Sequence, residues 1–171
     1  MSPVLVTPRL RLRPLAGSDE ALYVRLYGDT ATMRHVGAAM TPATARRSFA
    51  AACRDQVAEP ATRPLWVLER AVDAVAIGLL GLHLGAARAA EVGVLIFPEH
   101  QARGYASEAI DTVADFAFAR LGLLRLHARH APGHDLAAGL MASLGFVRAP
   151  DADDGHPVRW ERLARHGRPR Q

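Results

Sequence analysis

Gln101-Ala102-Arg103-Gly104-Tyr105-Ala106 is the stretch on which the architecture of this chain turns. Just before it, Pro98 stops a strand-like run from Ala90 to Phe97, and just after it a helical pattern opens at Ala106. Gly104 therefore stands between a strand and a helix start. A glycine among small residues lets the backbone turn tightly and leaves the consecutive main-chain N–H groups from Gln101 to Ser107 unpaired at the positive end of a helix. Such a run suits a pyrophosphate, with Arg103 adding charge and Ser107 a hydroxyl in the first turn. An ordinary tight turn reads the same way, so the rest of the chain has to decide.

Downstream of the loop, Ala109, Ile110, Val113, Ala114, Ala117 and Leu121 recur at three- and four-residue spacing, the buried stripe of a helix from Ala106 to Leu121. Upstream, Leu65–Glu69 and Ala74–Leu84 read as a hairpin turning at Val72 and Asp73. Near the beginning, Arg9 to Arg13 alternates arginine with leucine, which predicts a strand with Leu10 and Leu12 inward, ended by Pro14. A helix start at Ser18, with Asp19 and Glu20 in its first turn, continues through Leu22, Tyr23 and Leu26 to Gly28. Thr41 followed by Pro42 opens a second helix, with Ala45, Phe49, Ala52, Cys53 and Val57 on one face until Pro60. Leu124–His130 alternates again, Leu136–Leu144 is a short helix closed by Gly145, and Val158–Leu163 is a last strand. The order is that of one mixed α/β domain over residues 7–165, with the basic tail 166–171 expected to fray. It is not the strict alternation of a dinucleotide-binding fold, and the loop lacks the G-x-G-x-x-G spacing.

The 171 residues are half apolar and 22% charged, enough for a chain of this length to bury about 70% of its unfolded surface. All 21 basic residues other than histidine are arginine. Without lysine, a Walker A phosphate loop, a Schiff-base enzyme and a pyridoxal phosphate site are excluded. The formal net charge of +4 and pI of about 10.2 favour an anionic partner. Only 6% of residues are aromatic and none interleave with basic runs, so no nucleic-acid partner is expected. The single cysteine excludes an internal disulfide, and no apolar run suits a membrane span, so a cytoplasmic protein without a membrane partner is expected. Cys53 reads as core, not as a nucleophile.

Against this background four stretches resemble the GNAT superfamily of acyl-CoA-dependent N-acetyltransferases, in the branch of RimJ and RimL. Thr7-Pro8-Arg9-Leu10-Arg11-Leu12-Arg13-Pro14 is similar to that branch's first strand, and Glu91-Val92-Gly93 through Phe97-Pro98-Glu99 to its fourth strand and exit. Gln101 to Ala106 matches the Q/R-x-x-G-x-G/A signature and continues as Ser107-Glu108-Ala109, while Leu140 through Ser143-Leu144-Gly145-Phe146 is similar to the end of the helix that follows. The resemblance implies a mixed, mostly antiparallel central sheet flanked by helices and splayed at the cofactor strand. It implies acetyl-CoA as co-substrate and no metal. Leu95, Ile96 and Phe97 would line the pantetheine arm, and Gln101, Ala102, Arg103, Gly104, Tyr105, Ala106 and Ser107 would hold the pyrophosphate.

By the same resemblance Glu91 is the candidate base, and an amine, on a small molecule or a protein N-terminus, is the acceptor. A strand-end glutamate can equally hold backbone or an arginine. The family's Asn-x-x-Ser falls here on His134 and Ala137, so His134 stands as a cofactor-binding candidate, while Ala137 lacks the hydroxyl suggested to protonate the thiolate. Met141 replaces a tyrosine used in other branches, and the general acid is left unassigned. Those losses suggest an alternative, a catalytically weak protein that senses acyl-CoA. His127, His130 and His134 do not make a metal site by pattern, because a strand points the first two to opposite faces. Asp151, Asp153 and Asp154 could attract a cationic amine or form a solvated turn, and Arg34 and His35 fall where relatives line the acceptor pocket. Monomer and homodimer both remain open.

Overall fold

In the computed structural model, which describes residues 2–59, 61–150 and 157–164, alternation builds the first strands. β1 (Leu5–Val6) turns back on β2 (Leu10–Pro14), where Leu10 and Leu12 are fully buried and the intervening arginines take the other face. The expected helix start at Ser18 lies inside a 3-10 turn, Gly17–Asp19, that leads into α1 (Glu20–Gly28). Asp19 closes that turn instead of Ser18. Its carboxylate accepts from the Ala16 N–H at 2.8 Å and from both terminal nitrogens of Arg13 at 2.7 and 2.8 Å.

A four-residue helix that the sequence pattern does not reveal, α2 (Thr30–Met33), begins where Asp29 accepts from the Thr32 N–H at 2.7 Å. The Thr41 hydroxyl caps α3 (Pro42–Gln56) by accepting from the Thr44 N–H at 3.3 Å. Ala45 and Phe49 are buried as expected, but Val57 lies past the helix end and is 78% exposed. Pro60, the acidic run at Asp151, Asp153 and Asp154, and the tail lie outside the described residues.

The hairpin forms from β3 (Leu65–Arg70) and β4 (Ala76–Leu84), and Ala74, expected in the strand, turns the corner at φ +55°. β5 (Ala89–Ile96) completes an antiparallel run. At Gly78 a Cβ would stand 2.2 Å from the Leu95 carbonyl oxygen, so only glycine lets β4 and β5 approach there. α4 (Tyr105–Ala119) then crosses over, and β6 (Arg125–His130) lies parallel to β5. The helix stops short of Leu121, which is 39% exposed and not part of the stripe. α5 (Asp135–Ser143) ends at Gly145, whose φ of +74° lets the Phe146 N–H reach back to Met141 O at 3.0 Å. β7 (Val147–Arg148) and β8 (Val158–Leu163) are the last strands among the described residues.

The sheet order is β1-β2-β3-β4-β5-β6-β8-β7, mixed and mostly antiparallel, as the resemblance implies. Ala109, Ile110, Val113, Ala114 and Ala117 of α4 pack on one face with Leu10, Trp66, Leu68 and Leu126, and α1 and α3 cover the other through Tyr23, Leu26 and Phe49. Each large side chain buried completely in these layers contributes about 1.5–3 kcal/mol by transfer from water. Among the described residues no helix is long and apolar enough to cross a membrane.

Candidate active site

β5 and β6 pair only where they begin, at Ala89 with Arg125, Ala90 with Leu126 and Glu91 with His127. β5 runs on to Ile96 and β6 to His130 without further pairing, so the strands part at Glu91. The other edge of β5 is paired to β4 throughout, from Ala90 to Ile96. A parted interior strand carries backbone donors and acceptors that need partners, and the amides of an extended ligand can supply them. Leu95 lines the cleft on the α1 and α3 side. Ile96 and Phe97 bury their side chains in opposite cores, at 6% and 3% exposure, so Ile96 can offer an arm only its backbone, while the Phe97 N–H already donates to Ile77 O at 3.0 Å and its carbonyl accepts from the His100 N–H at 2.9 Å.

The loop after β5 is held open by its own geometry. A 3-10 turn at Pro98–His100 follows the strand, Ala102 adopts φ +56°, and Gly104 precedes α4 at φ +78°. Among the described residues nothing accepts a hydrogen bond from the main-chain N–H groups of Ala102, Arg103, Gly104, Tyr105, Ala106 or Ser107. Gln101 departs from the expectation. Its N–H donates to Pro98 O at 3.2 Å and its amide to Ile96 O at 2.8 Å, so it shapes the loop instead of offering a donor. The remaining run, at the positive end of a 15-residue helix, has the donors and field to hold a diphosphate.

A cleft of about 830 Å³ lies along β5, walled by Tyr23, Tyr27 and His35 on one side and by Arg129 and His130 on the other. Glu91 stands in it with its carboxylate in a two-point pair to Arg129, Nε to Oε1 at 3.1 Å and Nη2 to Oε2 at 2.5 Å. Sequence reasoning missed Arg129, because the register that brings β6 to β5 has no local signature. It also missed the tyrosine pair. The rings of Tyr23 and Tyr27 are 4.4 Å apart, and Tyr23 shares a 2.8 Å hydrogen bond with Ser48. Burial, followed by the neighbouring Tyr23, pushes the Tyr27 phenol well above its ordinary range, so it stays neutral.

His134 precedes α5 and stacks on His35 with ring centroids 4.0 Å apart. Burial and then the nearby His35 and His130 hold its pKa below the ordinary imidazole value. Its neighbour His130 accepts from the Trp160 indole at 3.0 Å and meets Ala131 O through Nδ1 at 2.8 Å, which fixes the Nδ1–H tautomer. Met141 is 6% exposed and packs in the α4-side core. Cys53 is half-buried, and burial, then Asp19 and Glu20, raise its thiol pKa, as suits a packing residue. Among the described residues no three histidine, cysteine or carboxylate side chains gather as a metal site.

Residues 9–147 match the acetyltransferase (GNAT) domain. The chain is 31% identical over 156 residues to the N-acetyltransferase YoaA of Bacillus subtilis (strain 168), covering 86% of this chain and 85% of that protein. Its fold is similar to that of spermidine N-acetyltransferase from Vibrio cholerae in complex with CoA and spermine, at TM-score 0.77 and 22% identity over 92% of this chain and 96% of the other. It is also similar to that of ribosomal-protein-S5-alanine acetyltransferase from Vibrio fischeri, at TM-score 0.76 and 17% identity over 95% and 97%. Since the matched domain spans the parted strands and the donor-lined loop alike, the chain belongs to the GNAT acetyltransferases.

Proposed function

We propose that this chain works in the cytoplasm, moving the acetyl group of acetyl-CoA to a primary amine, on a protein N-terminus or a small molecule, by direct attack inside the cleft. One observation carries the reading: the strand that parts from its neighbour at Glu91 leads straight into the unpaired N–H groups from Ala102 to Ser107. Acetyl-CoA supplies the activated carbonyl. The loop N–H groups and Arg103 hold its phosphates, and the free edge of β5 pairs with its arm. Glu91 takes the amine proton, directly or through water. Its two bonds to Arg129 leave further lone pairs for that proton and keep the carboxylate aimed into the cleft. A main-chain N–H of β5 faces the carbonyl oxygen as charge develops. Ala137 has no proton to give, so solvent protonates the departing thiolate.

The acceptors for which those two neighbours are named, a polyamine and a ribosomal protein, mark the two classes to screen. Free thiol should be followed while the chain, acetyl-CoA and a panel of polyamines, aminoglycosides and peptide N-termini are incubated together. Thiol release with any of these amines supports the transferase. CoA binding without release across the whole panel would favour the sensor.

A further inference from the structure

Thr7 and Glu108 stand 101 positions apart, yet the turn between β1 and β2 is fastened to the first turn of α4 by these two and Arg9. Both Glu108 oxygens face that turn: Oε1 accepts from the Thr7 hydroxyl and from the Arg9 N–H at 2.9 Å, and Oε2 from Arg9 Nε at 2.7 Å. The same guanidinium donates from Nη1 to the Arg103 carbonyl at 2.9 Å and lies 4.9 Å from the centre of the Tyr105 ring. Its Nη2 would stand 3.1 Å from a Cβ at Gly104.

Two physical consequences follow. A carboxylate in the first turn of a helix is normally drawn to the unpaired N–H groups there, where it would occupy them and repel a phosphate. Arg9 and Thr7 turn Glu108 outward and neutralise it, and burial notwithstanding, these bonds keep its pKa below the ordinary glutamate value. Second, a trans peptide sends its carbonyl and its N–H in opposite directions. With the Arg103 carbonyl anchored on Arg9, the Gly104 N–H is aimed away from Arg9, on the open side of the loop.

We propose that Thr7, Arg9 and Glu108 form a latch that presets the diphosphate loop, making them positioning residues for the acyl donor. The proposal rests on the reading of that loop as the diphosphate seat. CoA is the probe, titrated calorimetrically into the full chain and its variants, with unliganded thermal midpoints recorded beside each. Arg9→Ala and Glu108→Ala should each weaken CoA binding about tenfold, the loss of one charge-assisted hydrogen bond. The double variant should be no worse than either single one, because both remove the same tie. Arg9→Lys should fail to restore affinity, since an ammonium cannot bridge Glu108 and the Arg103 carbonyl as a planar fork does. Thr7→Ser should bind like the natural chain and Thr7→Val about fivefold more weakly, a pair that serves if an Arg9 variant does not fold. Affinities within twofold of the natural chain, or fully additive losses, overturn the latch. Gly104→Val, which strains the loop and also crowds Arg9, is read beside Arg9→Ala: CoA binding lost in the first but intact in the second sinks the latch alone, whereas binding intact in Gly104→Val sinks the diphosphate seat beneath it.

Discussion

Glu91 occupies the point where two strands part, and its chemistry is set by what it touches there. A carboxylate held at two points by a guanidinium keeps one orientation, which is what proton abstraction from a bound amine requires. Glu91→Gln preserves shape and can keep one of the two bonds to Arg129, through its amide oxygen, while removing the ability to take a proton. The expected result is a fall in kcat of about 10²- to 10⁴-fold, the usual worth of a positioned base. CoA affinity should stay near that of the natural chain, because the loop donors are untouched. A pH–rate profile identical to the natural one in this variant would remove Glu91 from the base role. At the same scale, Gly104→Val places a β-branched side chain at φ +78°, a conformation such residues rarely adopt, and crowds Arg9. Acetyl-CoA KM should rise well before kcat falls, measured with any acceptor that releases thiol.

Elements are tied to one another by a few polar anchors that position the cleft walls. Asp19 is 6% exposed and joins α1 to β2 through Arg13, which in turn bonds Glu69 of β3 at 2.6 Å. Asp19→Ala takes two bonds from Arg13, whose charge Glu69 still compensates, and leaves the Ala16 N–H without its acceptor, so it should cost about 1–3 kcal/mol in chemical denaturation. Burial raises the Asp19 pKa, but Arg13 and the Ala16 N–H outweigh it and hold the group below 3.8. The stabilisation is therefore full well above that value and disappears as pH falls through the folded pKa, which denaturation followed below about pH 4 would show. Gly78→Ala should cost about 1–3 kcal/mol by overpacking against the Leu95 carbonyl. The long elements were legible because burial repeats along them: Leu10 and Leu12 at period two, Ala109 to Ala117 at helical spacing. The short ones were not, since β1 and β7 have two residues each and α2 has four, too few to show a period. At the site, the loop's place between strand and helix and the place of Glu91 on the cofactor-strand candidate were legible from local pattern. Arg129 and the His35–His134 stack were not, because they are made by register and by contacts between distant segments. The bonding of the Gln101 N–H was not legible either, because it depends on the turn at Pro98 that draws it in.

The whole molecule carries +4 with every basic side chain an arginine, so lowering pH leaves those charges in place while histidines gain theirs. Two of these histidines resist protonation in the fold. His127 is held below 6.5 by burial and then by Arg159, with Glu161 opposing, and His134 by burial and then by His35 and His130. The unfolded chain consequently binds more protons than the folded one in the window below 6.5, and by linkage stability rises with pH across that window. It should be complete above about pH 6.5, the ordinary imidazole value, and lost as the solution is acidified towards the folded pKa values. Thermal midpoints in matched buffers should fall between pH 7.5 and 5.5, and His134→Asn should flatten part of that fall without steepening it. A midpoint that rises on acidification through this range would contradict the sign of both shifts. Because the His35–His134 stack joins the segment after α2 to the start of α5, the same acidification should loosen the His35 wall of the cleft first. Hydrogen exchange should then quicken at residues 34–36 and 133–136 before it does in α4, and a uniform change along the chain would refute that order.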